Sequence, residues 1–263
     1  MSNQIYIGFP TPSLDSLVEC ICGTQEPFTP DYFSWSERVG NKTDKVSDAE
    51  RFGEFYQRAK KISFALLGNK VTYHVEPNTF RDDSRQATHG YLFVEFKRGF
   101  KRSVDILPLL KTLLEEVPGV TFGYACDYDE SKHRHHLFKA WDDPSNHGGA
   151  SSIEFTTGVD FRRYIPGIYW VTAFEQSYLQ NVGLSHIKLS NKAVNEDKFS
   201  TKDGKEFYMY KFFDHAHEWK NHSSELDDFC MSQDRMFSLK RLAADIDAAT
   251  SESDLDDIVK PWA

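Results

Sequence analysis

An α+β fold, with a mixed and largely antiparallel sheet packed against several amphipathic helices, is what this sequence predicts. Three observations lead there. Apolar residues recur at helical spacing in two long segments, 52–66 and 106–117. Short apolar or alternating segments at 5–9, 71–75, 91–96, 120–126 and 207–213 read as strands bounded by Pro, Gly, Asn and Asp. The order mixes these helices with strands suited to antiparallel pairing.

The elements follow in chain order. Ile5 to Phe9 form a first strand, stopped by Pro10 and Pro12. The next thirty-odd residues, with Gly23, Pro27, Pro30 and Gly40, are expected to be irregular. Ser47-Asp48-Ala49-Glu50 has the pattern of a capping box. Behind it Phe52, Phe55, Tyr56, Ala59, Ile62, Ser63 and Leu66 mark one face of a helix expected to end near Gly68. Val71–Val75 and Tyr91–Phe96 are strands, joined by a polar stretch, Asn78 to Thr88, long enough to move. Asp105 can cap a second helix, with Pro108 in its first turn, where a missing N–H costs little. Ile106, Leu107, Leu110, Leu113, Leu114 and Val117 form its apolar face, and Pro118-Gly119 ends it.

Val120 to Cys126 is a further strand, followed by a charged helix or turn over Asp129–Trp141 and a loop at Asp143–Gly149. Ile165 to Gly183 reads as a strand running straight into a short helix. Ile168, Trp170, Thr172 and Phe174 fall on one side of it, and Tyr169, Val171 and Ala173 on the other. Both sides are mostly apolar, so the strand is expected to be covered on both faces. Phe174, Tyr178 and Val182, with Leu179, give the helix an apolar face, and Gly183 sits where a C-cap belongs. A weak strand at Ile187–Ser190, a turn at Lys202-Asp203-Gly204-Lys205, a strand over Phe207–Phe213 and a last helix marked by Met236, Leu239, Leu242, Ala243 and Ile246 complete the reading.

Bulk properties narrow the function. With 21 Phe, 12 Tyr and 5 Trp in 263 residues, the chain needs a sizeable core, and residues 1–263 read as a single α+β unit. No apolar run approaches the ~18 residues of a transmembrane helix. The start, Met-Ser-Asn-Gln-Ile-Tyr, lacks a basic n-region, so a cytoplasmic protein is expected and no membrane partner. Of Cys20, Cys22, Cys126 and Cys230 only the first two are close, which supports neither a disulfide framework nor a zinc site. The formal net charge of −9 argues against a nucleic-acid binder. From Glu225 to Asp257 there are ten carboxylates against Arg235, Lys240 and Arg241. Such a stretch is either a solvated face with a loose acidic tail or a lure for a cationic protein.

Candidate chemistry is sparse. In His133-Arg134-His135-His136 a helix would put His133 and His136 on one face, but a metal would need Asp129 or Glu130 as well, and Lys132 and Arg134 oppose a cation. In Asp214-His215-Ala216-His217-Glu218, with His222 beyond, an H-x-H pair on a strand would aim both imidazoles to one side. No nucleophile elbow, Walker loop or G-x-G-x-x-G is present. Glu154, Asp160 and Glu175 show no paired spacing. Trp170, Phe174 and Tyr178 read as core, while Trp35, Trp141 and Trp262 lie in polar surroundings that suit half-buried loops or interface anchors.

Three stretches resemble bacterial immunity proteins of type VI secretion and polymorphic-toxin systems: Tyr91 to Val117, Phe122-Gly123-Tyr124-Ala125, and Ile165 to Gly183 with its Tyr169-Trp170-Val171-Thr172 core and Val182-Gly183 end. The resemblance spans Tyr91 to Leu189; a Gly-Asp-Pro segment frequent in the C-terminal part of the family is absent. It implies an α+β fold, binding and neutralisation of one cognate toxin, no catalytic residues and no cofactor. If that toxin is a nuclease with a basic cleft, the carboxylates placed to meet it are Asp127, Asp129 and Glu130 at a strand end, and Glu225, Asp227 and Asp228 at the start of the last helical region. The alternative is a small metal-dependent hydrolase using His215 and His217.

Overall fold

The computed structural model describes residues 3–35, 44–77, 89–97, 105–139, 165 and 167–236, with 244 and 248. The elements are β1 (Asn3–Pro10), α1 (Leu14–Cys22), β2 (Pro30–Trp35), β3 (Asp44–Lys45), α2 (Ala49–Ala59), β4 (Phe64–Gly68), β5 (Val71–Glu76), β6 (His89–Phe96) and α3 (Leu107–Glu116). They continue with β7 (Phe122–Asp127), α4 (Tyr128–Lys139), β8 (Val171–Glu175), α5 (Gln176–Asn181), α6 (His186–Lys192), β9 (Asn195–Ser200), β10 (Glu206–Lys211) and α7 (Trp219–Met231). Among the described residues the strands form one ten-stranded sheet in the order β3-β2-β4-β5-β6-β1-β7-β8-β10-β9. All its pairings are antiparallel, so the α+β expectation holds.

The N-terminal strand lies inside the sheet, not at its edge. In β1, Ile7 pairs with Leu92 of β6 on one side and Gly123 of β7 on the other. Side chains alternate, so Ile5, Ile7 and Phe9 share one face with Leu92, Val94, Tyr73, Leu66 and Phe33. Helices α1, α2 and α3 cover that face. Phe55 of α2 stacks on Phe33 at 4.5 Å, and α3 packs on β7 and α1. Gly123 permits the close approach of α3, because a Cβ there would stand 2.8 Å from Ile7 and 3.1 Å from Leu114. The opposite face carries Tyr6, Tyr124, Cys126, Thr172 and Phe174. Tyr6 stacks on Tyr124, which stacks on Tyr169 at 3.9 Å, and Tyr178 of α5 lies on Phe174.

Several expectations are met. Pro108 sits in the first turn of α3, and Asp105 accepts the Leu107 N–H at 3.0 Å. Gly183 takes the left-handed conformation, φ 66°, just past α5.

Others need correction. The segment expected to be irregular contains α1, whose Leu14, Leu17, Val18 and Ile21 are buried at helical spacing, and β2. Helix α2 stops at Ala59, where the chain turns; Ile62 is 51% exposed and Leu66 belongs to β4. Its cap is Asp48, which accepts the Arg51 N–H, and not the Ser47 of the expected box. The 187–190 segment is helical, capped by Ser185. Strand β8 begins at Val171, so Ile168 to Trp170 are a buried lead rather than strand. The stretch from Asn78 to Thr88 and the Asp143–Gly149 loop lie outside the described residues; of the last helix expected, Met236 instead bridges to Ile165, while Ala244 and Ala248 are helical.

Candidate functional site

Helix α4 starts where β7 ends. Asp127 closes the strand, and its Oδ1 accepts the Asp129 N–H at 2.9 Å. Asp127 is therefore the cap of α4, satisfying a backbone donor that a buried helix start would leave orphaned. One turn on, Arg134 shares the inner side of α4 with Glu130. Both side chains are fully buried. Arg134 Nε stands 3.5 Å from Glu130 Oε1, an ion-pair distance without hydrogen-bond geometry.

Helix α7 supplies the counterpart. Leu226, Phe229 and Cys230 bury its inner face, and Asp227 beside them turns toward α4. Arg134 Nη1 donates to Asp227 Oδ1, and His133 Nε2 lies 2.7 Å from Asp227 Oδ2. The Trp170 N–H donates to Glu130 Oε1 at 3.0 Å, and its indole N–H donates to the Phe213 carbonyl at 2.9 Å. One polar network thus ties β7, α4, α7 and the lead into β8.

Its electrostatics follow from burial. Desolvation pushes the Glu130 carboxyl up to about 8, against the pull of the Arg134 charge and the Trp170 N–H. Burial also raises the Asp127 carboxyl. The neighbouring thiols are raised by desolvation, Cys230 to about 12 and Cys126 upward as well, so both stay protonated and poorly nucleophilic. Cys20 and Cys22 are pushed up to about 11 for the same reason.

The structure joins the two acidic groups that look separate in the sequence, but it does not expose them as a set. Asp127 is a buried cap, Glu130 is buried beside Arg134, and Asp227 is 17% exposed and engaged by α4. Asp129 is half-buried, and Asp228 is exposed. Glu225 is exposed and paired with Lys192 at 2.6 Å, which holds its carboxyl below the usual range.

The second histidine group is not on a strand. Strand β10 ends at Lys211, and His215 instead caps a 3-10 turn, Ala216–Glu218, that leads into α7. The Glu218 N–H donates to the His215 carbonyl at 2.9 Å, and Glu218 Oε2 accepts the His215 N–H at 3.0 Å. The His217 ring stacks on His215 at 5.6 Å, and His222 stacks on Phe213. Among the described residues no group of three or more His, Cys, Asp or Glu side chains could hold a metal ion. Glu175 is buried, bonded to Ser177 and close to Lys205; Glu154 and Asp160 lie outside the described residues. Trp35 packs on Phe55 at 4.8 Å, and Trp141 and Trp262 are outside the described residues. Missing from the sequence reading was the Arg134–Asp227 pair, 93 residues apart, for which the chain carries no local signal.

No described helix is long and apolar enough to cross a membrane. No protein-family profile and no curated protein sequence matches the chain. Among solved structures it is similar to the Pseudomonas aeruginosa T6SS protein PA0821, at 12% identity and a TM-score of 0.49, over 82% of this chain and 68% of that one. At that level neither activity nor partner transfers from one chain to the other.

Proposed function

We propose that the protein is an immunity protein that binds a cognate antibacterial toxin and neutralises it by direct contact. The observation that carries this reading is the resemblance of Tyr91–Val117, Phe122–Ala125 and Ile165–Gly183 to such proteins. The fold makes those stretches neighbours: α3 packs on β7, β7 pairs with β8, and β8 runs into α5. Three matching stretches that assemble into one packed unit support the reading better than three scattered ones. The carboxylates available to a cationic toxin surface are Asp129, Asp228 and, partly neutralised by Lys192, Glu225. Charge of that kind acts mainly on encounter and specificity.

The test is co-expression with the toxin encoded by a neighbouring gene. Rescue of growth and a complex that survives gel filtration are expected. Failure of every such toxin to bind would overturn the reading.

A further inference from the structure

Arg134 stands between two carboxylates with one positive charge to share. Asp227 on α7 holds its Nη1, and Glu130 on its own helix stands 3.5 Å from its Nε. Among the described residues Nε, Nη2 and Glu130 Oε2 have no hydrogen-bond partner, and both side chains are fully buried. The arrangement is therefore incompletely satisfied in a region that water screens poorly, where small changes of charge have large effects.

We propose that Glu130 and Arg134 form a proton-controlled latch between α4 and α7: with Glu130 protonated the guanidinium is committed to Asp227 and the helices are held together, and with Glu130 ionised the two carboxylates compete for it and the joint loosens.

Among the described residues the groups facing this site are few. Strand β7 contributes Cys126 and Asp127, the lead into β8 contributes Tyr169 and the Trp170 N–H, and α7 contributes Asp227 and Cys230. Helix α4 itself contributes His133 and Arg134. The thiols and Tyr169 are raised by burial and stay neutral across the range in which Glu130 titrates. That leaves Glu130 and Asp227 as two carboxylates on one guanidinium, an excess of negative charge that favours a proton on the more deeply buried of them, Glu130. His133 Nε2 takes Asp227 Oδ2 at 2.7 Å, the oxygen that Arg134 leaves free, so it does not displace the guanidinium from Oδ1. His133 and Asp227 are also the partly exposed end of the network, at 37% and 17%, and offer a proton route to water. The latch does not depend on the proposed toxin partner, although Asp129 and Asp228 sit on the two helices that it joins.

The test follows the unmodified protein from about pH 6 to about pH 9 by carboxyl-carbon NMR of Glu130 and amide exchange of α7, corrected for intrinsic rates. Glu130 should titrate near 8, and exchange across Trp219–Met231 should rise several-fold with the same midpoint. In Glu130→Gln, which keeps an oxygen for the Trp170 N–H but cannot ionise, α7 should stay protected throughout. In Asp227→Asn, exchange of α7 should be high at both ends of the range. A Glu130 that titrates near the ordinary 4.5, or a Glu130→Gln protein that keeps the exchange transition, would overturn the latch. The titration and the α7 exchange of the unmodified protein, which must share a midpoint, decide the matter even if a variant fails to fold.

Discussion

At the residue scale, Trp170 and Glu130 have the strongest claim on stability. Trp170 is 7% exposed and gives both of its N–H groups to buried acceptors, Glu130 and the Phe213 carbonyl. Trp170→Ala should cost about 3–5 kcal/mol, as large aromatic truncations in cores do. Trp170→Phe keeps most of the packing but strands the Phe213 carbonyl, and should cost about 1–3 kcal/mol. Chemical denaturation of the two variants measures both, and an Ala variant as stable as the parent would remove Trp170 from the core. Glu130 makes a different prediction. Its folded-state carboxyl binds a proton more tightly than the unfolded one, with a value near 8 against 4.5. Stability should therefore fall as pH rises from about 4.5 to about 8 and level off above that. Melting temperature against pH should show this slope in the parent, and Glu130→Gln should flatten it.

At the element scale, two close fits decide where helices begin and how near they come. Gly123 lets α3 lie on β7, with Leu110 and Leu114 against the strand backbone. Gly123→Val forces side chains into Ile7 and Leu114 and should cost about 1–3 kcal/mol as overpacking, read as a lowered denaturation midpoint with an unchanged slope. The start of α7 depends on Glu218, whose Oε2 accepts the His215 N–H and closes the 3-10 turn. Glu218→Ala should destabilise by about 1 kcal/mol, the usual effect of losing a cap, read by chemical denaturation. Zinc added to the parent and to His215→Ala should shift neither melting temperature; a shift in the parent alone would revive the metal reading of His215 and His217.

At the scale of the whole molecule, the net charge of −9 matters through the carboxylates that reach solvent. Burial takes Asp127 and Glu130 out of any long-range role, and Lys192 partly cancels Glu225. If the proposed toxin is cationic, Asp129→Asn with Asp228→Asn should slow association at low salt, and Glu225→Gln should slow it less. The difference should shrink toward physiological ionic strength, where the Debye length is about 8 Å. Stopped-flow association rates at several salt concentrations are the measurement. Rates equal to the parent's at every concentration would leave the contact to an apolar surface.

Much of the fold was legible because periodicity is a local property. β1, β5, β6, α3, β7 and the run from β8 into α5 announce themselves by spacing and caps, and the mixture of the two periods specifies α+β. Helix α1 carries the same signal in Leu14, Leu17, Val18 and Ile21, but the prolines on either side outweighed it. Elements at the margin were illegible for a physical reason. Edge strand β9 buries only Phe199, and α6 only Leu189, so neither shows an apolar face. The place of β1 between β6 and β7, and the Arg134–Asp227 pair, depend on residues 79 to 124 apart in sequence. The chain by itself therefore determined which segments have an inside. Only the tertiary structure decided which insides meet, because burial turns Asp127, Glu130 and Asp227 from apparent surface charges into a cap and a shared partner for one arginine.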